Sequence, residues 1–108
     1  MRLARYPVAR LSELEPDVAR RVPLGDDGGE CAIALHQGKC YAFGSLCPHQ
    51  NAPLDGARID RGRVTCRRHG YGFDLSSGDC TTVGGYGIQL FPVEVKEDVI
   101  YVLTWEYD

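Results

Sequence analysis

The 108-residue sequence predicts an all-β fold. Three observations carry this. Apolar residues come in short runs, and none keeps a helical period beyond about two turns. The 13 glycines fall largely between those runs, where they punctuate the chain. Two pairs of runs are separated by tight turn signals, as hairpins are.

Taken in order, residues 6–10 alternate weakly. Ser12-x-x-Glu15 reads as a capping box for one helical turn, and Pro16 limits its length. Residues 19–24 form a strand, and Asp26-Asp27-Gly28-Gly29 turns the chain. Residues 30–35 and 39–45 flank His36-Gln37-Gly38-Lys39, a hairpin signal. If Gln37-Gly38 is a two-residue turn, Leu35 faces Cys40. Cys31 and Cys40 are then not cross-strand partners, and both fill core space. His36 is expected as a solvated turn residue. Residues 63–66 and 71–75 are short strands, followed by a turn at Ser76-Ser77-Gly78-Asp79. Residues 88–95 and 99–104 make a last hairpin around Glu97-Asp98. Trp105 and Tyr107 are expected to cover a sheet edge.

A chain of 108 residues holds one ordinary core, so a single domain over residues 1–108 is expected. At 44% apolar and 25% charged residues, globular folding is expected rather than disorder. A net charge of −3 without a basic stripe argues against a nucleic-acid partner. The first 16 residues lack the apolar core of a secretory signal. The longest apolar runs are far short of a membrane span, so no membrane association and a cytoplasmic location are expected. In a reducing compartment, five cysteines point to thiols or metal ligands before disulfides.

Two cysteines and two histidines stand in mixed pairs, Cys47-x-His49 and Cys66-x-x-His69. Three chemistries compete for them. A Cys47–Cys66 disulfide would leave both histidines unexplained. Structural zinc takes two cysteines and two histidines, but usually with like ligands paired in sequence. A Rieske [2Fe-2S] centre has two histidines in place of two cysteines on one iron. Two loops must then each deliver one cysteine to the first iron and one histidine to the second, which mixed pairs do.

The chain resembles the Rieske-type [2Fe-2S] ferredoxins of multicomponent bacterial oxygenases. The resemblance rests on Cys47-Pro48-His49 and Cys66-Arg67-Arg68-His69-Gly70. Residues 72–78 and Phe91-Pro92-Val93-Glu94-Val95 add to it. It implies packed antiparallel sheets with a small two-loop subdomain, over roughly residues 46–86, holding one cluster. It also implies Cys47 and Cys66 on one iron and His49 and His69 on the other. The histidines would bind through Nδ1 and leave Nε2 at the surface. Pro48, Gln50, Gly70, Tyr71 and Phe73 are expected around the cluster. Gly70 would let backbone N–H groups approach the sulfurs. Arg67 and Arg68 belong to a local excess of arginine and are candidates for partner docking.

Neither loop has the extra cysteine of respiratory Rieske proteins, which argues for the lower-potential branch. The positions that donate hydrogen bonds to sulfur in high-potential relatives are Tyr71 and Phe73 here. A non-haem iron site is not evident, so substrate chemistry is expected on another protein. The resemblance thus implies a monomeric electron carrier, itself not an enzyme, between an NAD(P)H-dependent flavoprotein reductase and a terminal oxygenase. That oxygenase would be an aromatic-ring dioxygenase or a toluene-type diiron monooxygenase, which Cys47-Pro48-His49-Gln50 also suggests. The small subunit of a nitrite reductase and a structural zinc module remain alternatives. Family members often cover the cluster with a proline-containing loop. Val83-Gly84-Gly85-Tyr86-Gly87 has no proline, and a more mobile wall is expected there.

Overall fold

The computed structural model describes residues 2–25, 29–48 and 50–106. Twelve strands follow one another: β1 (Arg2–Arg10), β2 (Arg20–Leu24), β3 (Gly29–His36), β4 (Lys39–Phe43), β5 (Leu46–Cys47) and β6 (Ala52–Pro53), then β7 (Arg58–Asp60), β8 (Arg63–Thr65), β9 (Gly72–Asp74), β10 (Leu90–Phe91), β11 (Val93–Lys96) and β12 (Val99–Glu106). They form a three-stranded sheet β1-β12-β11, a four-stranded sheet β10-β4-β3-β2, a pair β5-β6 and a three-stranded sheet β7-β8-β9. All named pairs are antiparallel. Among the described residues, no helix is long and apolar enough to cross a membrane.

The β3–β4 hairpin has the expected register, with Leu35 opposite Cys40. Gln37 and Gly38 both take positive φ, 51° and 78°, as a two-residue turn matched to strand twist requires. Strand β3 is buried on both faces. Cys31 and Ile33 join Val22, Ala42, Ile100 and Val102 between the two larger sheets. Ala32 and Ala34 face the other way, into a second core with Phe43, Leu54, Val64 and Phe73. A strand sandwiched in this way reads as a continuous apolar run, which explains Cys31-Ala32-Ile33-Ala34.

Four local expectations change. The single turn of helix is a 3₁₀ turn, Leu11–Glu13. Glu13, not Glu15, accepts the Arg10 N–H at 3.0 Å. Ser12 bonds instead to the Asp98 carboxylate in the β11–β12 turn, its Oγ donating at 2.6 Å. The run 88–95 is divided at Pro92, which has no N–H to give. Leu90 and Phe91 pair with β4, and Val93 onward pairs with β12. Trp105 lies on β12 opposite Leu3 of β1 and is 64% exposed, so it stands largely in solvent rather than covering an edge. Tyr107 and most of the expected 26–29 turn lie outside the described residues.

His36 is the fourth. It is only 6% exposed. Its place in the β3 alternation turns it to the same side as Ala32 and Ala34. Its Nδ1 lies 2.7 Å from Asp17 Oδ1, and its Nε2 accepts the Gly62 N–H at 3.1 Å. Accepting there leaves Nδ1 as the protonated nitrogen of the neutral ring. The imidazole thereby ties the main hairpin to the β7–β8 turn.

Candidate metal centre

Two loops project from the β5-β6 pair and the β7-β8-β9 sheet. In the first, Cys47 ends β5 and pairs with Ala52 across the turn. Asn51, at φ 54°, helps reverse the chain. Pro48 and Gln50 are exposed, and Cys47 is buried. His49 lies outside the described residues.

In the second loop, Cys66 follows β8 and is buried. Its N–H bonds to the Tyr71 carbonyl at 2.8 Å, and its carbonyl accepts the Gly70 N–H at 2.9 Å. Gly70 has φ 73°, and nothing lies within 4 Å of where a Cβ would stand. The turn's handedness, rather than crowding, asks for glycine. Its N–H is engaged by Cys66 O, so no part of the site is built on its donating to a sulfur.

His69 is half-buried and directed by its two nitrogens. Nδ1 faces Cys66 Sγ at 3.9 Å, and Nε2 lies 2.8 Å from Gln50 Oε1. Its ring meets Tyr71 edge-on, with centroids 6.4 Å apart, and Tyr71 in turn contacts Tyr86 at 5.9 Å.

The glycine-rich wall is tied down at its base. The Thr81 N–H donates to Gly72 O at 2.8 Å, and Thr82 Oγ1 accepts the Gly72 N–H at 3.0 Å. Cys80 N–H bonds to Tyr86 O at 3.0 Å, and Val83 N–H points to Cys80 Sγ. Thr81 and Thr82 were not among the expected site residues; a pair of threonines before a glycine run was the available signal.

Phe73 is fully buried in the same cluster as Cys47 and Cys66. Asp74 serves its own turn. Its Oδ1 accepts the Ser76 N–H at 2.8 Å and the Ser76 hydroxyl at 2.6 Å. These bonds hold its carboxyl below the usual 3.8. Burial pushes the Cys31 thiol up to about 12 and the Cys40 thiol up to about 11.

Beside the loops, Ala52, Pro53, Asp55, Arg67 and Arg68 line an open cleft of about 370 Å³. Arg67 lies across Gly56, where an added Cβ would come 2.7 Å from its Nη1. Asp55 is occupied in accepting the Arg21 N–H. Among the described residues, neither Arg67 nor Arg68 is in an ion pair.

Three of the four expected ligands can be followed. Cys47 and Cys66, buried in one core cluster, with an imidazole whose Nδ1 faces the Cys66 sulfur, are donors of the kind a two-iron cluster takes. No disulfide engages them among the described residues. Among the described residues, which leave out His49, no three metal-binding side chains converge as on a single ion. A two-iron cluster needs only two protein ligands per iron.

A Rieske [2Fe-2S] domain model matches residues 4–92. The chain is 34% identical over 96 residues to human apoptosis-inducing factor 3, covering 88% of this chain but only 16% of that protein. In structure it resembles the ferredoxin of carbazole 1,9a-dioxygenase from Nocardioides aromaticivorans IC177. The TM-score is 0.80 at 27% identity, over 92% of this chain and 96% of the other. A Mycobacterium tuberculosis protein described as the small subunit of an NADH-dependent nitrite reductase gives a TM-score of 0.87. Its identity is 24% over 99% of this chain and 100% of the other, which speaks for the fold alone. With two mixed cysteine–histidine loops set on small antiparallel sheets beside the main β layers, the chain belongs to the Rieske [2Fe-2S] domain family, which holds one cluster on cysteine and histidine ligands.

Proposed function

We propose that this chain is a one-electron carrier serving an oxygenase. Cys47 and Cys66 hold one iron and His49 and His69 the other, in a subdomain over roughly residues 46–86. The cluster, when bound, supplies a one-electron couple. The carrying observation is the orientation of His69, with Nδ1 turned inward and Nε2 at the protein's outer face. That places one end of the ligand at the site and the other where a docked protein can approach. Buried Cys47 and Cys66 keep water from the sulfurs. Arg67 and Arg68 add positive charge at the rim, which speeds encounter with an acidic partner surface.

In this reading the chain takes electrons from an NAD(P)H-dependent flavoprotein reductase and delivers them to a terminal oxygenase. It catalyses no substrate reaction itself, and it works as a monomer in the cytoplasm. The 27% identity with a dioxygenase ferredoxin, along nearly the whole of both chains, supports an oxygenase as the acceptor. Ring dioxygenase and diiron monooxygenase are both compatible with the loop residues. The nitrite reductase reading draws on the high fold similarity alone.

The test is spectroscopic first. The purified protein should be coloured and give a rhombic EPR signal after dithionite. Cys47→Ser, Cys66→Ser, His49→Ala and His69→Ala should each abolish or convert that signal, and Cys31→Ala, Cys40→Ala and Cys80→Ala should keep it. A colourless, EPR-silent protein containing zinc would overturn the reading, as would an intact Rieske signal in His49→Ala. NADH or NADPH with a flavoprotein reductase should then reduce the carrier, and an oxygenase should reoxidise it. Reoxidation by nitrite reductase and not by oxygenases would select the second reading.

A further inference from the structure

We propose that Gln50 is a positioning residue for His69, its side-chain carbonyl accepting the outer N–H of the imidazole and so presenting the inner nitrogen to the cluster. This rests on reading His69 as a ligand.

The two residues belong to different loops, yet Gln50 Oε1 and His69 Nε2 stand 2.8 Å apart. The bond therefore ties the loop that carries Cys47 to the loop that carries Cys66. An imidazole offers two nitrogens, and in the neutral ring one donates while the other accepts. The amide has both kinds of group, and it is the carbonyl oxygen that meets Nε2 here. With the carbonyl toward His69, Nε2 carries the proton and Nδ1 keeps its lone pair. Nδ1 is the nitrogen that faces Cys66 Sγ at 3.9 Å. With the amide reversed, its NH₂ would donate to Nε2, the proton would move to Nδ1, and no lone pair would remain for iron.

The ring has a second support in the edge contact with Tyr71. That contact restricts tilt but does not distinguish the nitrogens. Of these two contacts, the one with Gln50 engages a ring nitrogen. Its backbone is set by the adjacent Asn51 in the left-handed region at φ 54°, inside the short link between β5 and β6. An acceptor on the far nitrogen of a ligating histidine also makes the ligand more basic. A more basic ligand favours the oxidised cluster. Gln50 should therefore lower the reduction potential, and a carboxylate in its place should lower it further.

The experiment uses the cluster-loaded protein and two variants, Gln50→Leu and Gln50→Glu. Protein-film voltammetry should place the midpoints in the order Gln50→Leu above wild type above Gln50→Glu. In ¹⁵N-histidine protein, pulsed EPR should show altered coupling for one of the two ligating imidazoles in Gln50→Leu. The Glu variant, which keeps an acceptor, should restore a wild-type pattern for that nitrogen. Should Gln50→Leu fail to load the cluster, the Glu variant's downward shift carries the proposal. Unchanged midpoints and unchanged couplings in both variants would overturn the role of Gln50 while leaving His69 as a ligand. A wild type without a Rieske signal would instead remove the ligand reading.

Discussion

Replacing Gly78 with alanine should destabilise the protein by about 3 kcal/mol or more, from two separable causes. Gly78 has φ 83°, and a Cβ there would stand 2.4 Å from the Ile88 carbonyl oxygen. An L-residue in left-handed geometry costs roughly 1–2 kcal/mol. The contact is about 1 Å shorter than van der Waals packing allows, and the offending atom is backbone. It cannot swing aside as a side chain would. Gly78 O accepts the Ile88 N–H at 2.8 Å, and Gly78 N–H donates to Asp74 O at 2.7 Å. Parting the two segments stretches these bonds, and crowding of this kind costs about 1–3 kcal/mol. Gly38 supplies the control. It has φ 78° but nothing within 4 Å of its Cβ position, so Gly38→Ala should show the backbone cost alone. Thermal unfolding of the loaded proteins, followed by far-UV circular dichroism and by cluster absorbance, should lower Tm by more than about 10 °C for Gly78→Ala. The drop for Gly38→Ala should be less than half as large. Equal losses in the two variants would refute the close-contact argument, and a loss below about 4 °C for Gly78→Ala would refute both.

Phe73→Tyr should raise the midpoint potential by tens of millivolts from a wild-type value near −150 mV, the low end of the Rieske range, because it places a donor in the buried cluster shared with Cys47 and Cys66. A wild-type midpoint above 0 mV in voltammetry would sink this reasoning. Cys31 and Cys40, held up to about 12 and about 11 by burial, should resist iodoacetamide at a pH near 8 in the folded protein and react once it is unfolded. The same shifts should make stability fall as pH rises above the ordinary 9.0, because the unfolded chain releases protons that the folded chain keeps; urea midpoints across that range provide the measurement. Asp74 should titrate below 3.8, so that its contribution is present above 3.8 and lost as pH falls through the lower folded value. Ser76→Ala should move that titration upward, as read by NMR of the carboxyl carbon.

The amino-acid sequence by itself determined what depends on neighbours along the chain. Two-residue turns need particular backbone angles, so Gln37-Gly38 announced the β3–β4 hairpin and its register. The mixed cysteine–histidine pairs were legible for the same reason, since a loop of a few residues decides which donor types it can deliver to one cluster. Strands β5, β6 and β7 left no comparable trace, being only two or three residues long. Only the tertiary structure decided the rest. Pro92 marks a possible break in a strand, but pairing with β4 on one side and β12 on the other is chosen by the two sheets. His36 beside Gln37-Gly38 looks like turn surface until the β7–β8 turn is brought against it and supplies the Gly62 N–H. Thr82 becomes a brace only where folding lays it against Gly72, and Gln50 becomes an acceptor only where the second loop brings His69 to within 2.8 Å. Local geometry is settled by steric terms between adjacent residues and can be read from a short window. Partners distant in sequence are selected by burial and hydrogen-bond satisfaction of the whole chain, and no window contains both sides of that balance.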